Sequence, residues 1–147
     1  MEPILSDEMM NEVLFQAMRA VYRFEREKVA AFDLDYGAIY LLQYLRRNAK
    51  APVTQIAQEM RLPISTVSRM AGRLEKRGLV WRAEDAEDRR RVLVSLDPRG
   101  ESLVREVEEH SASAITKNIE TIATEKLDAL VTAARLLPVV LGISDEF

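Results

Sequence analysis

The chain has 147 residues, 48% of them hydrophobic and 31% charged, with a formal net charge of −3 and no cysteine. The missing cysteine excludes a disulfide framework, a thiolate metal site and thiol redox chemistry, and no run of about 18 apolar residues offers a membrane span. An acidic total also speaks against nucleic acid, unless the charge is segregated along the chain.

The start, Met1-Glu2-Pro3-Ile4-Leu5-Ser6-Asp7-Glu8, lacks the basic opening of a secretion signal, and neither internal repeats nor low-complexity stretches interrupt the chain. The expectation is a cytoplasmic protein folded as one intertwined domain. Ser6 or Asp7 caps a first helix running to Ala31, with Met9, Met10, Val13, Leu14, Ala17, Val21 and Phe24 along its apolar side. Asp35 caps a second helix to Asn48, whose core face is Leu34, Ala38, Leu41, Leu42 and Leu45, with Tyr36, Tyr40 and Tyr44 turned away from it. Thr54 caps a short third helix to Met60, and Leu62-Pro63 turns the chain into a fourth, predicted over 63–77. There Pro63 suits the first turn and Gly78 the C-terminal stop. Ile64, Val67, Met70, Ala71 and Leu74 share the core stripe, while Ser65, Thr66, Arg69, Gly72, Arg73 and Lys76 lie opposite, three cations and two hydroxyls without a carboxylate.

Beyond Gly78, residues 79–82 and 91–96 read as strands, and the charged loop between them, Ala83 to Arg90, projects as a hairpin tip. Asp97-Pro98 opens a long helix to about Ala123, and Thr124 opens a last one on which Leu127, Leu130, Val131, Ala134, Leu137 and Leu141 form a stripe, with Pro138 bending or fraying its end.

Helix, tight turn, helix, strand, loop, strand is a winged helix-turn-helix. The fold class is therefore mainly α with a small β-hairpin wing, the winged helix-turn-helix (34–97) flanked by N- and C-terminal dimerisation helices (1–33 and 98–147). Residues 61–91 carry nine cations against five carboxylates, so this stretch is +4 and the remainder −7. Such segregation favours double-stranded DNA, with the fourth helix in the major groove and the 83–91 wing in the minor groove. Arg90 is the first minor-groove candidate, since narrow A·T-rich grooves attract arginine; Arg91, which begins a strand, can instead pair with the wing carboxylates. A first helix of about 26 residues reaches about 39 Å, longer than a small domain is wide, so its apolar stripe is expected to be covered by a second copy in a two-fold homodimer.

The residues resemble the MarR family of bacterial winged-helix regulators over nearly the whole chain. The most specific stretches are Ser65-Thr66-Val67-Ser68-Arg69, Arg73-Leu74-Glu75-Lys76-Arg77-Gly78-Leu79-Val80, Asp88-Arg89-Arg90-Arg91-Val92-Leu93-Val94-Ser95-Leu96 and Gly100. The resemblance implies an obligate homodimer on a palindromic operator, acting as a repressor released by a small molecule. It further implies that Ser65, Thr66, Ser68, Arg69 and Arg73 lie in the major groove, that Arg89 or Arg90 enters the minor groove, and that Asp88 braces the wing arginines. Two departures stand out: Pro63 replaces a frequent capping serine, and Asp97 a common threonine.

Tyr36, Tyr40 and Tyr44, with Tyr22 and Phe32 nearby, either pack between helices or line a pocket for a small aromatic or anionic effector, with Arg19, Arg23 or Arg46 as counter-charge. His110 is alone, so no metal and no cofactor are expected. No phosphate loop, nucleophile elbow or paired histidines give an enzyme a foothold. The competing reading is a winged helix used as a protein-interaction adaptor.

Overall fold

The computed structural model describes residues 4–143, which divide into two compact units, one up to Val107 and one from Glu108 onward. In the first, α1 (Asp7–Phe32) starts at Ser6, whose side chain accepts the Met9 N–H, and α2 (Tyr36–Asn48) starts at Asp35, whose carboxylate accepts the Ala38 N–H at 2.8 Å. Both caps satisfy a backbone donor that the first turn leaves orphaned. The third helix, α3 (Val53–Met60), departs from expectation: Pro52 is its N-cap, no side chain caps it, and Thr54 is exposed inside the first turn.

Ahead of α3 lies a strand that periodicity does not reveal, β1 (Lys50–Pro52), too short and too proline-bound to show alternation. It pairs antiparallel with β3 (Val92–Leu96), whose other edge takes β2 (Val80–Glu84), giving the order β1-β3-β2. The winged hairpin is thus stitched to the helix-turn-helix through Ala51 opposite Val94.

Between α3 and α4 (Ile64–Lys76) the turn is made by Arg61 in the left-handed region at φ 52°, its N–H and that of Leu62 returning to the end of α3. Pro63 sits one position earlier than expected, at the N-cap, where its carbonyl accepts from Thr66 and Val67 and its missing N–H costs nothing. The core of this unit gathers Leu41, Leu42 and Leu45 of α2, Ile56 of α3, Val67 of α4, Val80 and Val94 of the sheet and Val104 of α5 (Pro98–Ile119), all fully buried.

The helix α4 ends in a Schellman closure: Gly78 (φ 73°) donates to Glu75 and Leu79 to Leu74. The Leu79 carbonyl then accepts the Asp97 N–H at 3.0 Å, and the backbone of α5 presses so closely there that a Cβ on Gly100 would collide with that oxygen.

In the second unit α5 stops at Ile119, short of the expected Ala123, because Ile122 N–H turns back onto the Ile119 carbonyl. The last helix, α6 (Thr124–Val140), passes through Pro138 without fraying and closes on it, the Ile143 N–H reaching the Pro138 carbonyl at 2.9 Å. No residue of α6 is buried.

Substituting Gly100→Ala should lower stability by roughly 1 to 3 kcal/mol, the usual cost of overpacking, read as a lower urea midpoint at unchanged slope. An unchanged midpoint would show that the Leu79 contact is slack.

Candidate nucleic-acid interface

The helix α4 buries Val67, Met70, Ala71 and Leu74 and leaves Ser65, Arg69, Arg73 and Lys76 exposed, with Thr66, Ser68 and Gly72 half-buried. Ile64, expected in the core stripe, is 55% exposed instead. It opens the helix before the underlying core begins, and so joins the solvent end beside Ser65.

The cationic face has a neighbour that its spacing concealed. Glu75 is half-buried at the edge of α4, and its Oε1 accepts from Arg82 of β2 at 3.0 Å (Nη2) and 3.3 Å (Nε), while Oε2 accepts the Arg82 backbone N–H at 3.1 Å. This pairing holds the Glu75 carboxyl below the usual carboxylate range. A cavity of about 460 Å³ is lined by Ser68, Arg69, Arg73 and Lys76 together with Glu75 and Arg82. Among the described residues Arg69, Arg73 and Lys76 form no ion pair, so their charge is available to an incoming anion. Arg77, by contrast, is committed: its Nη1 donates to the Asp33 carbonyl at 3.0 Å and ties the end of α4 to the end of α1.

At the wing tip Asp88 Oδ1 accepts from the Arg90 N–H at 3.1 Å and from its Nε at 3.2 Å, yet the Arg90 side chain remains 92% exposed. Arg89 is exposed and holds no ion pair with a described residue. Arg91 leans back on Asp85, 3.7 Å away, and Asp85 also closes the turn by accepting the Glu87 N–H. The sequence-predicted residues therefore separate into a helix group (Ser65, Thr66, Ser68, Arg69, Arg73, Lys76) and a tip group (Asp88, Arg89, Arg90).

The aromatic candidates separate too. Tyr22 and Tyr36 line one largely apolar cavity of about 330 Å³ with Met18, Val21 and Val29, and its charged members are Glu25 and Arg26 rather than Arg23. Tyr40 instead donates to Glu59 of α3 at 2.6 Å, which pushes its pKa up to about 12, and the Tyr44 hydroxyl accepts from Gln55 of α3 at 2.7 Å. These two tyrosines fasten α2 to the helix-turn-helix. Lys28, which apolar spacing does not single out, is buried on α1, its Nζ 2.7 Å from Glu25 and 5.4 Å from the Phe24 ring centroid.

Against this geometry, comparison with known sequences gives a match of residues 32–91 to the family model described as MarR family. Through those residues the winged helix-turn-helix of this chain resembles the MarR family. The chain is 33% identical over 98 residues to the HTH-type transcriptional regulator YhbI of Bacillus subtilis, an alignment spanning 63% of this chain and 63% of that protein. Among solved structures, RV1404 from Mycobacterium tuberculosis shares the fold with a TM-score of 0.81 at 24% identity, covering 99% of this chain and 100% of that one. BpsR of Bordetella bronchiseptica, described through the regulation of its DNA binding by 6-hydroxynicotinic acid, shares it with a TM-score of 0.72 at 22% identity, covering 98% and 100%. The matched segment 32–91 runs from the end of α1 to the end of the wing loop, before β3, and so contains both cationic groups.

Proposed function

We propose that this chain is a MarR-family DNA-binding transcriptional regulator that acts as a homodimer on a two-fold operator and represses by occupying it. The observation that carries this reading is the exposed cationic face of α4, without an ion pair among the described residues at Arg69, Arg73 and Lys76, beside an arginine-tipped hairpin, two groups suited to adjacent grooves of one duplex. In this reading Ser65, Thr66, Ser68, Arg69 and Arg73 meet the major groove, Lys76 a phosphate, and Arg89 or Arg90 the minor groove, with Asp88 fixing the approach of Arg90. The chemistry is recognition alone, so no catalytic residue, metal or cofactor is assigned.

A band-shift titration on DNA upstream of its own coding sequence, at two salt concentrations, tests the reading. Binding should saturate at low salt and weaken steeply with added salt, and Arg90→Ala should cost roughly 1 to 3 kcal/mol. Absence of a saturable shift would favour the protein-interaction adaptor.

Support for the dimer lies in each unit separately. On α1, Val13 is 60% and Met18 57% exposed, and on α6, Leu130 is 62% and Val140 76% exposed, more apolar surface than a monomer ordinarily leaves in water. Light scattering at micromolar concentration should return twice the chain mass; a monomer would refute the assignment.

The effector site in this reading is the cavity of Tyr22 and Tyr36, where Arg26 supplies the counter-charge for an aromatic acid. The small hydroxylated aromatic acid associated with BpsR suits such a lining in size and polarity. Hydroxylated aromatic acids should raise the thermal midpoint and release DNA, and Tyr36→Ala should abolish both responses. A screen giving neither response would remove the effector from the proposal.

A further inference from the structure

The pairing of Glu75 with Arg82 stands apart from the cations assigned to DNA. Three hydrogen bonds join one carboxylate to both the backbone and the side chain of one arginine, and they cross from α4 to β2. Arg82 shares its face of the hairpin with Val80 and with its register partner Val94, both fully buried, so this face turns toward α4. The guanidinium lies over Gly72, where a Cβ would stand 3.5 Å from Nη1 in ordinary contact. Each partner remains about one-third exposed, at 33% for Arg82 and 39% for Glu75, and both line the cavity that Arg69, Arg73 and Lys76 also line.

Two consequences follow from charge and geometry. A lone carboxylate beside that cavity would repel a phosphate, and a lone arginine there would attract any phosphate regardless of sequence. Paired, the two present no net charge and fix the spacing between α4 and the base of the wing. We propose that the Glu75–Arg82 pair is a specificity-positioning strut: it withholds Arg82 from the DNA backbone and holds the wing at the offset from α4 that one operator geometry requires. Because this rests on the DNA-binding reading, the strut predicts how binding is divided between specific and non-specific DNA, a quantity separate from whether binding occurs.

The test uses the full chain and two duplexes of equal length, one selected by the wild type from a randomised library and one unrelated, titrated by fluorescence anisotropy over a salt series. Glu75→Gln keeps an acceptor for the Arg82 N–H but removes the charge. It should tighten binding to the unrelated duplex several-fold, steepen the salt slope by about 0.9, the increment for one released phosphate contact, and lower the ratio of specific to non-specific affinity. Arg82→Gln should act oppositely on affinity, weakening both duplexes because Glu75 is left facing phosphates. The double variant should return non-specific affinity and salt slope to near wild-type values while the specificity ratio stays low, because charge balance is restored but the strut is not. Thermal unfolding establishes that each variant is folded. A folded Glu75→Gln protein with wild-type salt slope and specificity ratio overturns the strut and leaves DNA binding intact. Failure of the wild type to bind either duplex at low salt overturns the DNA-binding reading and the strut with it.

Discussion

The winged helix-turn-helix depends on the backbone of Leu79. Its N–H belongs to α4, closing the helix on Leu74, and its carbonyl belongs to α5, accepting the Asp97 N–H while Gly100 presses on it. One peptide therefore fixes where α4 stops, where the hairpin departs and where α5 begins. The glycines on either side are required by this arrangement: Gly78 supplies the left-handed φ of 73° that the closure needs, and Gly100 supplies the missing Cβ. Asp97 completes the junction, its carboxylate accepting the Arg99 N–H at 2.9 Å, which holds that group below the ordinary carboxylate range.

With the junction fixed, the fold distributes its cations between structure and surface. Arg77 is bound to the Asp33 carbonyl, Arg82 to Glu75, and Arg91 leans on Asp85. On α4 and the hairpin, those without an ion pair to a described residue, Arg69, Arg73, Lys76 and Arg89, fall on one helix face and one hairpin tip, and exposed Arg90 has only a solvent-screened pair with Asp88. Local potential rather than the chain total of −3 is what a phosphate meets. On the other side of the helix-turn-helix, the hydroxyls of Tyr40 and Tyr44 attach α3 to α2, one turn and two turns beyond Tyr36 of the apolar cavity. A movement of α2 at Tyr36 therefore has two direct connections to α3.

Much of this was legible because it is local. The caps at Ser6 and Asp35, the buried stripe Val67, Met70, Ala71 and Leu74, and the stop at Gly78 each depend on residues within a turn of one another. The structure departs from that local pattern where tertiary surroundings decide the outcome. Ile64 fits the helical period but has no core beneath it; β1 exists because β3 offers it an edge; Thr54 has the chemistry of a cap, yet Pro52, held in the sheet, begins α3 first.

The sequence by itself determined the helices and the hairpin, the cationic character of α4 and the wing, and the family pattern of residues 32–91, because periodicity, capping and local charge are properties of neighbours along the chain. Only the tertiary structure decided which charges are available. Glu75 on α4 lies seven residues from Arg82 on β2, and Arg77 forty-four from Asp33, so no period within one element links either pair. Folding brings these groups within hydrogen-bond reach, where a charge-assisted bond outweighs the loss of water around each partner, and so divides the arginines that hold the winged helix-turn-helix together from those left to face an anion.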